Sequence, residues 1–138
     1  MGLVLTGCPG TFEGTVGGRS MKVISASFAA GFEGDTSSLP VTLRSSTRSL
    51  KNTERLDFRV NTLHVDGEPG AAGNARFSAS DDACHFTTVP ADEGSVTLTS
   101  ASESHVAGSF SFRFGDDEVH GTFFAARSAG ESTPRNCE

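Results

Sequence analysis

The 138 residues include eleven Phe and sixteen Gly but no Trp or Tyr. They have length for one domain that buries roughly two-thirds of its unfolded surface, and their Val, Thr and Phe, with frequent Gly, favour strands over helices. The formal charge of −6 disfavours nucleic acid and anionic membranes as primary partners; residues 1–63 hold seven basic and five acidic groups against four and twelve in 64–138, a mild polarity that reads as a solubility feature.

At the N-terminus, Leu5-Thr6-Gly7-Cys8 resembles the lipobox of bacterial lipoproteins, an aliphatic residue and two small residues before Cys. The resemblance implies cleavage before Cys8 and acylation of its thiol and new amine. Residues 1–10 then read as a truncated signal remnant and a flexible tether beginning at Pro9-Gly10, and residues 11–138 as a single β domain. A full leader has a basic and an apolar region, so this reading expects a start upstream of Met1. Two alternatives stay open: Met1-Gly2-x-x-x-Thr6 also fits N-myristoylation, and Cys8 could be a chance residue of a cytoplasmic protein.

Alternation predicts the strands. Thr11 to Gly18 puts Phe12, Gly14 and Val16 on one side; Met21 to Ala30 sets Val23, Ser25 and Ser27 against Ile24, Ala26, Phe28 and Ala30. Gly31–Pro40 reads as loop and Val41–Arg44 as strand. Arg44, Arg48, Lys51, Arg55 and Arg59 recur at a helical spacing, but Ser45-Ser46-Thr47 is a poor helix former. A polar loop and then a strand, Arg55 to Leu63, fits better, with Leu56, Phe58 and Val60 inward. His64 to Asn74 reads as loop, Ala75–Ala79 as strand, Asp81-Asp82 as turn, and Ala83–Val89 as a strand with Cys84, Phe86 and Thr88 on one face. Pro90 to Gly94 turns into the strand Val96–Thr99, and Ser128 to Glu138 is a polar tail.

The strongest signal is a hairpin over Val106–Phe123. Val106, Gly108, Phe110, Phe112 and Phe114 alternate with small or charged residues, as one buried face requires. With Asp116-Asp117 as the loop, Phe114 pairs with Val119, Phe112 with Gly121 and Phe110 with Phe123, each glycine leaving room for a ring.

Lipobox, tether, the Gly-Ser-Phe-x-Phe-x-Phe-Gly-Asp hairpin, the Gly-Thr-Phe that follows and the terminal Cys137 together look like small bacterial envelope lipoproteins of unknown function. That resemblance implies a compact β domain held on the envelope membrane through Cys8, and it transfers no catalytic residue. If Cys8 is lipidated, Cys84 and Cys137 remain as an even pair for a disulfide in an exported protein, which would stabilise by about 4 kcal/mol on the chain-entropy view. In a reducing compartment they would be free thiols.

The residues do not suggest an enzyme. Gly-x-Ser-x-Gly, Ser-x-x-Lys and Walker patterns are missing. His64, His85, His105 and His120 have no zinc-finger or HExxH spacing, so no metal or other cofactor is expected. Asp116-Asp117-Glu118 lacks the ligand spacing of a Ca²⁺ loop. The expected fold is an antiparallel β-sandwich, with a small closed β-barrel as the alternative. The expected role is a non-catalytic binding or structural module. The rival is an inhibitor or immunity-type protein that blocks a secreted enzyme through Gly31–Pro40 or Val65–Asn74.

Overall fold

The computed structural model describes residues 9–28, 38–46, 49–61, 69–71, 75–102 and 104–127. Among them are nine strands and no helix: β1 (Ser25–Phe28), β2 (Ser38–Arg44), β3 (Glu54–Asn61), β4 (Pro69–Ala71), β5 (Arg76–Ser80), β6 (Phe86–Pro90), β7 (Glu93–Ala101), β8 (His105–Phe114) and β9 (Asp117–Arg127). They join one sheet in the order β4-β7-β8-β9-β1-β2-β3-β5-β6. The fold is all-β, as the composition predicts. The sheet is mixed rather than purely antiparallel, because β1 runs parallel to β9. That pair joins two antiparallel sets, β4-β7-β8-β9 and β1-β2-β3-β5-β6.

The sheet curls so that its inner face meets itself. Phe58 on β3 packs on Phe110, Phe112 and Phe123 of β8 and β9, with ring centroids 5.7, 5.5 and 5.2 Å away. Phe77 on β5 meets Phe114 at 6.3 Å and Phe12 at 5.6 Å. Inward positions of β3, Leu56, Phe58 and Val60, are 0, 1 and 1% exposed. Each fully buried side chain of this size contributes about 1.5–3 kcal/mol. Period-two alternation produces this core because every second residue of each strand reaches the same face.

The β8–β9 hairpin forms as predicted, with a register two residues away from the expected one. Phe114 pairs with Asp117, Phe112 with Val119, Phe110 with Gly121 and Gly108 with Phe123. The loop is Gly115-Asp116 rather than Asp116-Asp117. Gly115 has φ +66°, and a type II′ hairpin needs a positive φ at its first loop position, which glycine adopts without steric penalty. A shift of two preserves parity, so the predicted inward row survives it.

Other boundaries move. β1 is shorter than Met21–Ala30, and Val23 is buried while Ile24 is 48% exposed. The predicted grouping of Ile24 with Ala26 and Phe28 therefore fails at its first residue, outside the paired ladder. β4 lies within the stretch read as loop, His64–Asn74, where it pairs with β7. β2 starts at Ser38, inside the stretch read as the loop Gly31–Pro40. Residues 31–37, 62–68, 72–74 and 128–138 lie outside the described residues.

The N-terminal segment is pinned rather than free. The amide of Thr11 donates to the carbonyl of Thr122 (2.9 Å), the amide of Phe124 to the carbonyl of Pro9 (2.8 Å), and Glu13 and His120 exchange two backbone bonds. The Thr11–Gly18 strand is reduced to isolated bridges, Glu13 with His120 of β9 and Val16 with Arg19, although Phe12 and Val16 are both buried. Gly121 permits this contact. A Cβ there would lie 2.0 Å from the Thr11 carbonyl oxygen and 2.8 Å from Cζ of Phe110. The glycine thus makes room for a chain segment as well as for a ring.

Candidate functional site

Of the residues singled out for chemistry, Cys8, Cys137 and His64 lie outside the described residues. Cys84 is described. It sits in the β5–β6 turn, partly exposed, with φ 62°, and not on a strand face with Phe86 and Thr88. The left-handed backbone explains the correction, because it breaks the two-residue alternation that would align them. Asp81 builds this turn. Its Oδ1 accepts the amides of Ala83 and His85, both at 2.9 Å, and its carbonyl accepts the amide of Cys84 at 3.0 Å. The His85 amide, above all, holds the Asp81 carboxyl below the usual carboxylate range. Asn52 Nδ2 donates to Asp82 Oδ1 at 2.6 Å and ties the turn to the loop before β3.

Beside this turn is a groove of about 310 Å³, with Val16, Phe77 and Val89 among its walls and Arg19, Asp81 and His85 as its polar groups. Arg19 is fully engaged there. Its Nε donates to Glu54 Oε2 at 3.1 Å, Nη1 to the Ser80 carbonyl at 3.0 Å, and Nη2 also to Glu54. Ser80, 1% exposed, accepts the Thr53 amide at 2.9 Å and donates to the Leu50 carbonyl at 2.6 Å. The cluster clamps the N-terminal turn to β3 and β5. Its polar groups bond to each other rather than converge on an open position.

A second cluster escaped the sequence reading. Ser100 Oγ lies 2.8 Å from His105 Nε2, Ser102 Oγ lies 3.0 Å from Nδ1, and the imidazole stacks on Phe124 at 4.8 Å and 9°. A hydroxyl at that distance from an imidazole has the spacing of an activated nucleophile. Here, however, a second hydroxyl rather than a carboxylate orients the ring, and Ser102 also accepts the His105 amide. All three residues close the β7–β8 hairpin. Short sequence separation hid the cluster, since a turn rich in Ser reads as an ordinary loop. His120 lies on the outer face, as its alternation predicts, with Nε2 3.9 Å from Glu13 Oε1. In the acidic turn, Asp117 Oδ2 accepts the Gly17 amide at 2.9 Å. Among the described residues no group of three His, Cys, Asp or Glu is placed to hold a metal ion.

The third feature is the outer face of β2, β3 and β5. Strand register sets Arg44 opposite Arg55 and Asp57 opposite Arg76. Arg55, Arg59 and Arg76 line a shallow groove of about 490 Å³ with Asp57 and Thr88, and Ser78 in its floor. Three of the basic residues grouped by sequence meet here on one face. Arg76, from the strand beyond, joins them, which only the strand order reveals. No protein-family model, curated protein or solved structure matches the chain.

Proposed function

We propose that the chain is a non-catalytic module of the bacterial cell envelope, anchored in the membrane, at the outer membrane or the periplasmic face, by lipid on Cys8, and acting through its outer surface. The observation that carries the reading is the filled interior. Phe58 occupies the centre of the curled sheet against three rings of the facing strands, where a carrier would need a chamber. Among the described residues every buried side-chain nitrogen and oxygen has a partner, so the interior supplies stability and the surface is left for binding. The anchor position suits the fold. Pro9, which follows Cys8, bonds through its carbonyl to the amide of Phe124, whose ring is half exposed. Within this reading the curled sheet is a sandwich of two facing layers, β7-β8-β9 over β3-β5, supported by the ring contacts between them. A Cys84–Cys137 disulfide belongs to the same reading, because export would oxidise the pair.

The test is intact mass and fractionation of the protein expressed in a bacterium from its own gene with the preceding sequence. The expected product is membrane-bound, starts at Cys8 with acyl groups attached, and takes up one pair of hydrogens on reduction. Cys8→Ser should release it to the soluble fraction. An unmodified soluble wild-type product would refute the anchor.

A further inference from the structure

We propose that the end of β9 around Phe124 is the face on which the domain sits against the lipid surface that anchors it. The inference rests on the reading of Cys8 as the lipidated residue and goes beyond it, because an anchor alone leaves the domain free to turn.

The sequence predicts a flexible tether from Pro9, and the structure removes its slack. Residues 9–13 run antiparallel to β9. The amide of Phe124 donates to the Pro9 carbonyl at 2.8 Å, that of Thr11 to the Thr122 carbonyl at 2.9 Å, and Glu13 and His120 exchange two backbone bonds. Gly10 approaches so closely that a Cβ there would lie 2.4 Å from the Thr122 carbonyl oxygen. The buried Phe12 ring stacks on Phe77 at 5.6 Å and fastens the segment to the core. Just beyond Phe124 the same edge of β9 passes to β1, with Ser27 paired to Ala126. Cys8 is one peptide bond from Pro9, about 3.8 Å between Cα atoms. A lipid on its sulfur therefore holds this end of β9, and not the other, at the bilayer.

What stands at this end suits lipid. Of the large apolar side chains exposed among the described residues, Ile24, Phe86 and Phe124, Phe124 is the most exposed, at 52%. Strand alternation projects it from the outer face of the sheet. Ala107 stands opposite it and Ala126 follows on the same face, and neither covers the ring. His105 stacks on it at 4.8 Å, with Ser100 and Ser102 at its two ring nitrogens. An aromatic ring held in one orientation beside hydroxyls fits the boundary between acyl chains and headgroups. The charged groups described on this part of β9 are Arg127 at its end and the Glu13–His120 pair four residues back, about 13 Å at the rise of a strand. A single ring binds a free domain weakly. An attached domain presents that ring at high effective concentration, so a weak contact selects one orientation. Phe86 lies elsewhere: His85 and Thr87, on either side of it, line a groove with Gly17, whose amide bonds to Asp117 at the start of β9.

The chain contains no Trp, so an introduced indole reports from one place. The test uses the full chain with Cys84→Ser and Cys137→Ser, which leave Cys8 as the only thiol, coupled through its sulfur to a maleimide lipid in phosphatidylcholine vesicles. On coupling, Phe124→Trp is expected to emit at shorter wavelength and to lose intensity when the phosphatidylcholine carries brominated acyl chains. Phe86→Trp should show neither change. A flexible Gly-Ser linker inserted between Cys8 and Pro9 should weaken both changes, because slack lowers the effective concentration. No change at Phe124→Trp, equal changes at both positions, or indifference to the linker overturns the proposal. Unfolding midpoints establish that each variant is folded. If loss of the two cysteines unfolds the domain, the oxidised chain, with Cys84 and Cys137 closed to maleimide, is coupled in its place and checked by mass for a single adduct. The lipid is attached chemically, so the outcome does not depend on lipidation in a cell. A soluble bacterial product would refute the anchor without altering this measurement, and failure here leaves the Cys8 anchor standing.

Discussion

Two hairpins of this domain, β8–β9 and β5–β6, are held by different physics. In β8–β9, ten residue pairs run without interruption, and Val106, Phe110, Phe112, Phe114, Val119, Phe123 and Ala125 of the inner row are 0–3% exposed. In β5–β6 only five pairs form, and four of the five β6 residues are exposed. Besides the buried Phe77 ring, what holds the second hairpin is polar: the Ser80 node, the Arg19–Glu54 clamp and the Asp81 turn. The difference follows from position. β8 and β9 are central strands whose inner faces meet the far part of the curled sheet, while β6 ends the sheet and has no further strand against which to bury a row. Hydrogen bonds there substitute for area, with smaller net contributions each.

That contrast can be broken most directly at the centre. Phe58→Ala removes the ring that touches three others and should lower stability by about 3–5 kcal/mol, read as a reduced urea midpoint; a loss under 1 kcal/mol would mean the curled sheet does not depend on this contact. Ser80→Ala leaves the Thr53 amide and the Leu50 carbonyl without their partner and should lose about 1–3 kcal/mol. Amide exchange would then rise first in β5 and β6, and uniform loosening of β8–β9 would contradict the division. The smallest effect is at Asp81. Its folded pKa lies below the usual value, near about 3.9 for an unperturbed aspartate, so its contribution is complete above that pH and is lost as pH falls through the lowered folded value. Asp81→Asn should remove this acid-side dependence and speed exchange at the Ala83 and His85 amides. An unchanged acid profile would show that the turn does not need the carboxylate.

The inward rows of the fold were more legible in the sequence than the grouping of its surface residues. Inward rows were legible because alternation is a local property of the chain: Leu56, Phe58, Val60, Phe110, Phe112 and Phe114 are buried as their spacing requires. Cys84 was misplaced because a single left-handed residue resets the alternation, and no neighbouring glycine announced it. The Ser100–Ser102–His105 cluster depends on a turn drawing three hydroxyl and imidazole groups together, and the arginine face depends on β3 and β5 being neighbours although β4 intervenes in sequence. Pattern reading sees which residues share a strand face, and it does not see which strands share an edge.

By itself the sequence determined the all-β class, the single packed core and the inward half of most strands, because side-chain alternation and hydrophobic burial act at a range of two residues. Tertiary structure alone decided the rest. The parallel join of β1 to β9, the N-terminal segment laid against Gly121 and the two-residue register of the β8–β9 hairpin all depend on close approach between distant segments. Parity kept the predicted core correct despite the register error. The loop was settled by Gly115 accepting a positive φ, a choice between two turns that local composition leaves nearly equal and that packing against the Thr11 carbonyl and the Phe58 ring resolves.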